Sequence, residues 1–238
     1  MTEPHSGEHI SKSYDAELAR LIEELLRMGK LAGEQLAAAA EAVEDRDSDL
    51  AARVVERDSS LDALEHVISH DVLRLLALRQ PIARDLREVL AALRIAADIE
   101  RIGDYAANVA KRSIALNTAA PVPSAKALPR LAEVAGEMLK DVLDAYQRRD
   151  SAAAHEVWER DEQLDTLYTA LFRELLTYMM EDPRNITPCA HLLFMAKNIE
   201  RIGDHATNIA ENVYFLVHGE TLVEARRKGD LTSVLTKP

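Results

Sequence analysis

The phrase "DIERIGDYAANVAK" (Asp98 to Lys111) returns as "NIERIGDHATNIAE" (Asn198 to Glu211). Its core, Glu-Arg-Ile-Gly-Asp, is unchanged at an offset of 100, from Glu100 to Glu200. A second phrase, "RDSDLAARVVERDSSLDAL" (Arg46 to Leu64), lines up with "RDSAAAHEVWERDEQLDTL" (Arg149 to Leu167) at an offset of 103. The fall from 103 to 100 places a loss of three residues in the turn near "DPRNIT". A period near 100 is too long for a solenoid. It fits a duplicated unit of several helices.

Prolines at 4, 81, 121, 123, 129, 183, 188 and 238 punctuate long stretches of helical periodicity. Ala, Leu, Glu and Arg are abundant and aromatics make up only 4% of the chain, which favours helix. The punctuation predicts six helices: about 11–46, 49–78, 83–117, 128–149, 151–181 and 188–218. Asn185 or Thr187 is the expected N-cap of the last. The expected architecture is all-α: two three-helix bundles in tandem, residues 8–118 and 125–219. "TAAPVPSAKALP" joins them, and residues 220–238 form a weakly periodic tail, frayed or loosely docked.

On the helix that carries the first phrase, at about 100° per residue, Ile95, Ile99, Ile102, Ala106 and Val109 form an ordinary core stripe. Glu100, Gly103, Asp104, Ala107 and Asn108 share another face. Glu200, Gly203, Asp204, Thr207 and Asn208 reproduce it. Glycine inside a helix costs roughly 1 kcal/mol against alanine, so Gly103 and Gly203 imply a close approach by a ligand or a neighbouring element. In the other repeat, Asp58 and Asp62, and again Asp161 and Asp165, lie one turn apart. Antiparallel packing of the second and third helices of each half would gather Asp58, Asp62, Glu100 and Asp104. The other half would gather Asp161, Asp165, Glu200 and Asp204. Such oxygen-rich sets suit Mg²⁺, Mn²⁺ or iron. Without metal, Arg101 and Arg201 would neutralise Asp104 and Asp204 at i+3, and the glycines would serve helix contact alone.

Other chemistry has little support. None of the eight histidines follows a glutamate by three residues, as di-iron carboxylate bundles require. His205 stands where the first repeat has Tyr105, so it belongs to no shared site. His66 and His70 share a face with no counterpart and read as surface groups. Cys189, the single cysteine, reads as a packed thiol. No Walker A or dinucleotide-binding glycine pattern is present. The net charge of −12 argues against nucleic acid and anionic lipid as partners. The first residues lack the apolar segment of a signal peptide. No run approaches roughly 20 apolar residues. A cytoplasmic protein without membrane insertion is expected. Arg84, Arg87, Arg94 and Arg101 lie near one stripe, either a solvated face or a surface for an acidic partner. Surplus apolar surface would serve a homodimer.

The phrases "GEHISKSYDAEL", "ERIGDYAANVA" and "ERIGDHATNIAE" resemble the PhoU family of phosphate transport regulatory proteins, and the likeness runs from about Gly7 to His218. The resemblance implies two homologous three-helix bundles and a regulator rather than an enzyme. It implies a protein that works with the cytoplasmic components of a phosphate-specific ABC transporter and with a sensor histidine kinase, holding the phosphate-starvation response off. It also implies multinuclear metal sites at the acidic pairs Asp58/Asp62, Glu100/Asp104, Asp161/Asp165 and Glu200/Asp204. Asn108 and Asn208 would be accessory ligands. The implied occupant is a divalent or iron-type ion: iron, manganese, magnesium or zinc. The rival reading is a metal-storage or metal-dependent hydrolytic bundle, which would need a cavity or substrate pocket beside the acids.

Overall fold

The structure, a computed structural model, describes residues 6–222. Within them the chain is helical throughout: α1 (Ser6–Glu44), α2 (Ser48–Arg79), α3 (Arg84–Leu116), α4 (Leu128–Arg148), α5 (Ser151–Glu159), α6 (Asp161–Glu181) and α7 (Ile186–His218). Short 3₁₀ turns at Pro123–Ala127 and Pro183–Asn185 precede α4 and α7. No strand occurs among the described residues.

The fifth expected helix is divided. At Arg160 the backbone tightens: its N–H is shared between Glu156 O and Val157 O, and its own carbonyl accepts from Gln163 N at 3.0 Å. α5 and α6 therefore form one rod with a 3₁₀-like joint, pinned where Arg160 Nη2 meets Asp141 Oδ2 at 2.6 Å. α1 begins at Ser6, earlier than expected. Asn185 occupies the expected N-cap position of α7 but makes no side-chain capping bond there. Asp182 instead accepts from Arg184 N at the start of the 3₁₀ turn, while Asn185 Nδ2 donates to Tyr178 O. Of the tail, residues 223–238 lie outside the described residues.

The two repeats fold alike. Arg46 and Arg149 both close a helix in the left-handed region, at φ 55 and 53. The next residues, Asp47 and Asp150, both cap α2 and α5 by accepting two backbone N–H groups. The three-residue loss separates two kinds of turn. In the first half, Gln80 and Ala83 adopt φ 47 and 50; in the second, the 3₁₀ turn does the work.

Within the first half α1 and α3 run parallel, with α2 antiparallel to both. Tyr14 Oη donates to Asp85 O near the start of α3. Arg46 Nη2 donates to Asn117 O (2.9 Å) and Ala119 O (2.7 Å) at its end. Asn117 Nδ2 reaches Ser48 Oγ at the start of α2. The stripe Ile95, Ile99, Ile102, Ala106 and Val109 is buried, and one continuous apolar core runs through both halves.

The halves meet along α1–α4 and α3–α7. "AGEQL" in α1 (Ala32 to Leu36) and "AGEML" in α4 (Ala135 to Leu139) extend the repeat at offset 103. They pack reciprocally: a Cβ built on Gly33 would lie 3.9 Å from Leu139 Cδ2, and one on Gly136 3.9 Å from Leu36 Cδ2. Tyr105 and His205, equivalent positions on α3 and α7, meet in a tilted ring contact with centroids 5.6 Å apart. Equivalent residues facing each other define a pseudo-two-fold axis.

Candidate metal centres: two acidic helix faces

Gly103 sits where α2 presses on α3. A Cβ there would overlap Leu61 Cδ1, and Asp58 Oδ1 would lie 3.7 Å away. At Gly203 the overlap is with Leu164 Cδ2, and Asp161 Oδ1 again lies 3.7 Å away. The close approach inferred from sequence is thus made by a leucine of the neighbouring helix. That leucine brings an aspartate, one turn earlier, against the acidic face. The glycine, the leucine and the aspartate form one device, built twice.

The acids of each half sense one another. In the first half, burial pushes Asp58 up from the usual carboxylate range, with Asp104 and Asp62 adding to the shift. Burial likewise raises Glu100, helped by Asp104 and Asp62. In the second, burial raises Glu200, helped by Asp204 and Asp165. The antiparallel packing therefore places the expected residues in shared neighbourhoods. Among the described residues, however, no three His, Cys, Asp or Glu side chains converge as a ready-made metal cage.

The two faces are neutralised differently. In the first, Arg101 Nη1 bonds Asp104 Oδ2 at 2.8 Å and its Nε lies 3.3 Å from Glu100 Oε2. Gln35 of α1 completes it, donating to Asp58 Oδ1 (3.2 Å) and to the Gly103 carbonyl (3.3 Å). Sequence reasoning missed Gln35; the unnoticed "AGEQL" repeat, with Met138 at the equivalent place, is the signal that could have drawn attention to α1. In the second face Arg201 turns to the Tyr105 ring, and Lys197 Nζ bonds Glu200 Oε1 at 2.8 Å. This face is also deeper: Asp161, Asp165 and Glu200 are 1–2% exposed. Glu200 Oε2, shielded from solvent, has no hydrogen-bond partner. A buried carboxylate oxygen left so is costly unless something else binds it. That orphan oxygen and the raised acids fit a cation.

The remaining candidates have other duties. Asn208 Nδ2 donates to Asp98 Oδ1 across the α3–α7 interface, beside the 2.8 Å contact of His205 Nδ1 with the same oxygen. Asn108 lines a cleft between α3 and α7. Cys189 is fully buried, which pushes its thiol up. His66 and His70 are exposed surface groups. Each arginine of the stripe has a contact within the chain, while Arg84 and Arg101 stay largely exposed. Arg84 pairs with Glu88, Arg87 packs against Gly219, Arg94 lies over Phe215, and Arg101 holds the first acidic face.

A bundle duplicated in this way, with matched acidic faces, defines a class of all-α proteins built from two homologous three-helix units, and comparison with known proteins identifies it. The PhoU domain matches residues 25–113 and again 128–213, so the chain belongs to the PhoU family. The phosphate-specific transport system accessory protein PhoU homolog of Xylella fastidiosa (strain 9a5c) is 62% identical over 225 residues, 94% of this chain and 95% of that protein. The crystal structure of PhoU from Pseudomonas aeruginosa superposes with a TM-score of 0.84 at 39% identity, covering 87% of this chain and all of that one. The phosphate transport system regulatory protein PhoU from Streptococcus pneumoniae has a TM-score of 0.81 at 29% identity, covering 88% and 99%.

Proposed function

We propose that this chain is an accessory of phosphate-specific transport and a negative regulator of the phosphate-starvation response. In this reading it couples the cytoplasmic components of a phosphate ABC transporter to a sensor histidine kinase. The family match across both halves carries the transport role. No helix among the described residues is long and apolar enough to cross a membrane. In this reading its place at the membrane is reached through protein partners. The role is regulatory rather than catalytic. Deleting the gene and measuring phosphate-responsive transcription in phosphate-rich medium tests it. Derepression is expected, and unchanged transcription would refute it.

Metal belongs to the same proposal. Asp58, Asp62, Glu100 and Asp104 would hold an ion in the first half, and Asp161, Asp165, Glu200 and Asp204 in the second. The bound ion would supply positive charge, not reaction chemistry. It would offset the burial, and after it the repulsion between neighbouring acids, that raises Asp58, Glu100 and Glu200, and would give Glu200 Oε2 a partner. The second face is the more demanding, because water cannot screen it. Elemental analysis of protein purified without chelator should show metal that Asp104→Asn and Asp204→Asn each remove from one half. Equal content in all three proteins, or none in any, leaves the glycine device as helix packing alone.

A further inference from the structure

The pseudo-two-fold axis relates two clefts in the α3–α7 groove, and their charge differs sharply. One, of about 540 Å³, is lined by Asn108, Lys111, Arg112 and Ala115 of α3 and by His191, Phe194, Lys197, Asn198 and Arg201 of α7. It carries four cationic side chains and no carboxylate in a chain of net charge −12. Its mate, of about 400 Å³, contains Asp98 and Glu211 against a single cation, Arg94. At offset 100, Lys111 corresponds to Glu211, Arg112 to Asn212, Lys197 to Ala97 and Asn198 to Asp98. The fold thus tolerates acidic or neutral residues at these places, and only one cleft has been made basic.

The cations differ in how they are held. Lys197 is engaged by Glu200 and lies over the Tyr168 ring, so it acts on the cleft through its field. Arg112 lies over the Phe194 ring at 4.2 Å and Arg201 over Tyr105 at 5.6 Å. Ring faces orient guanidinium groups without neutralising them. Among the described residues, no carboxylate lies within ion-pair distance of Lys111, Arg112 or Arg201. His191 also lines the cleft, with its Nδ1 shielded from solvent and without a protein partner. Concentrated like charge around a concavity destabilises the fold unless a counter-charge enters.

We infer that this cleft binds a small, multiply charged anion through phosphoryl oxygens, using Lys111, Arg112 and Arg201. Guanidinium groups match phosphoryl geometry, lysine supplies a point charge, and the amides of Asn108 and Asn198 offer neutral donors. The volume suits a small ligand. The cleft borders both acidic faces, through the Lys197–Glu200 bond and through the field of Lys111 on Asp58, but its own lining holds no carboxylate.

Isothermal titration of the full chain at low salt with inorganic phosphate, pyrophosphate, AMP and ATP tests this. Saturable binding that weakens as NaCl rises is expected. The double variant Lys111→Glu with Arg112→Asn copies the mate cleft and, by relieving the like charge, should melt no lower than the wild type without ligand. It should weaken binding by roughly ten-fold or more. Pyrophosphate binding as tightly as ATP assigns the phosphoryl groups alone, and ATP binding far more tightly assigns a nucleotide. Absence of saturable binding, or undiminished binding by the double variant, would overturn the inference. Capture of a glutamate-rich peptide with no response to phosphate compounds would overturn it too, in favour of an acidic protein partner.

Discussion

Replacing Gly103 by alanine sets two effects of opposite sign against each other. Alanine gains about 1 kcal/mol of helix propensity over glycine. At this site, though, the new Cβ would overlap Leu61 Cδ1. Leu61 ends in a rotatable methyl, but the residue is 1% exposed and has little room to move. Overpacking of that kind costs about 1–3 kcal/mol. Gly33 is the internal control, because its Cβ would meet Leu139 at an ordinary 3.9 Å. The helix term is common to Gly103→Ala and Gly33→Ala, so their difference isolates the steric term. Gly33→Ala should raise the melting temperature, while Gly103→Ala should fall below it by about 1–3 kcal/mol. For a chain of this size that is about 2–4 °C per kcal/mol. Gly203→Ala should behave like Gly103→Ala, since Leu164 stands where Leu61 does. Calorimetry in chelator removes any metal contribution. Leu61→Ala alone should cost about 2–5 kcal/mol. In that background, Gly103→Ala should become stabilising, because the obstructing methyl is gone. If Gly103→Ala stabilises the wild-type chain as much as Gly33→Ala does, the close approach is not what requires glycine.

Two further outcomes follow from the same geometry. Burial, Asp204 and Asp165 raise Glu200 above its ordinary 4.5, so the folded chain keeps a proton that the unfolded chain has lost. That contribution is fully present below pH 4.5 and is lost as pH rises through the folded value. In chelator, Glu200→Gln, which keeps an acceptor for Lys197, should therefore melt increasingly above the wild type between acid and neutral pH; a difference independent of pH would refute this. At the end of α3, the Arg46 guanidinium bonds the carbonyls of Asn117 and Ala119 from a left-handed backbone position. Arg46→Ala should lose about 1.5–3 kcal/mol of stability, and Arg46→Gly up to about 1 kcal/mol less, because glycine relieves the backbone. An Arg46→Gly chain more stable than the wild type in thermal melts would show that the cap contributes less than the roughly 1 kcal/mol of backbone relief, against the about 1.5–3 kcal/mol expected.

Much of this protein is written locally. Helix periodicity, the proline breaks and the two repeats identify an all-α duplicated bundle, because apolar spacing and turn chemistry act over a few residues. The acidic faces were legible for the same reason: Glu100, Gly103 and Asp104 share a helix side by spacing alone. Other features needed the folded chain. That Leu61 and Leu164 are the neighbours requiring glycine depends on how α2 and α6 seat against α3 and α7, and side-chain periodicity does not specify that register. Gln35 joins the first acidic face from 68 residues away, and Asn208 turns to Asp98 across the interface. The division at Arg160 reflects a contact with Asp141 on another helix, not a helix breaker. The sequence held every cation of the α3–α7 cleft, scattered over two helices 100 residues apart. Only the packing of the two halves brought their charges together around one space, because electrostatic fields depend on distance in three dimensions and not on position along the chain.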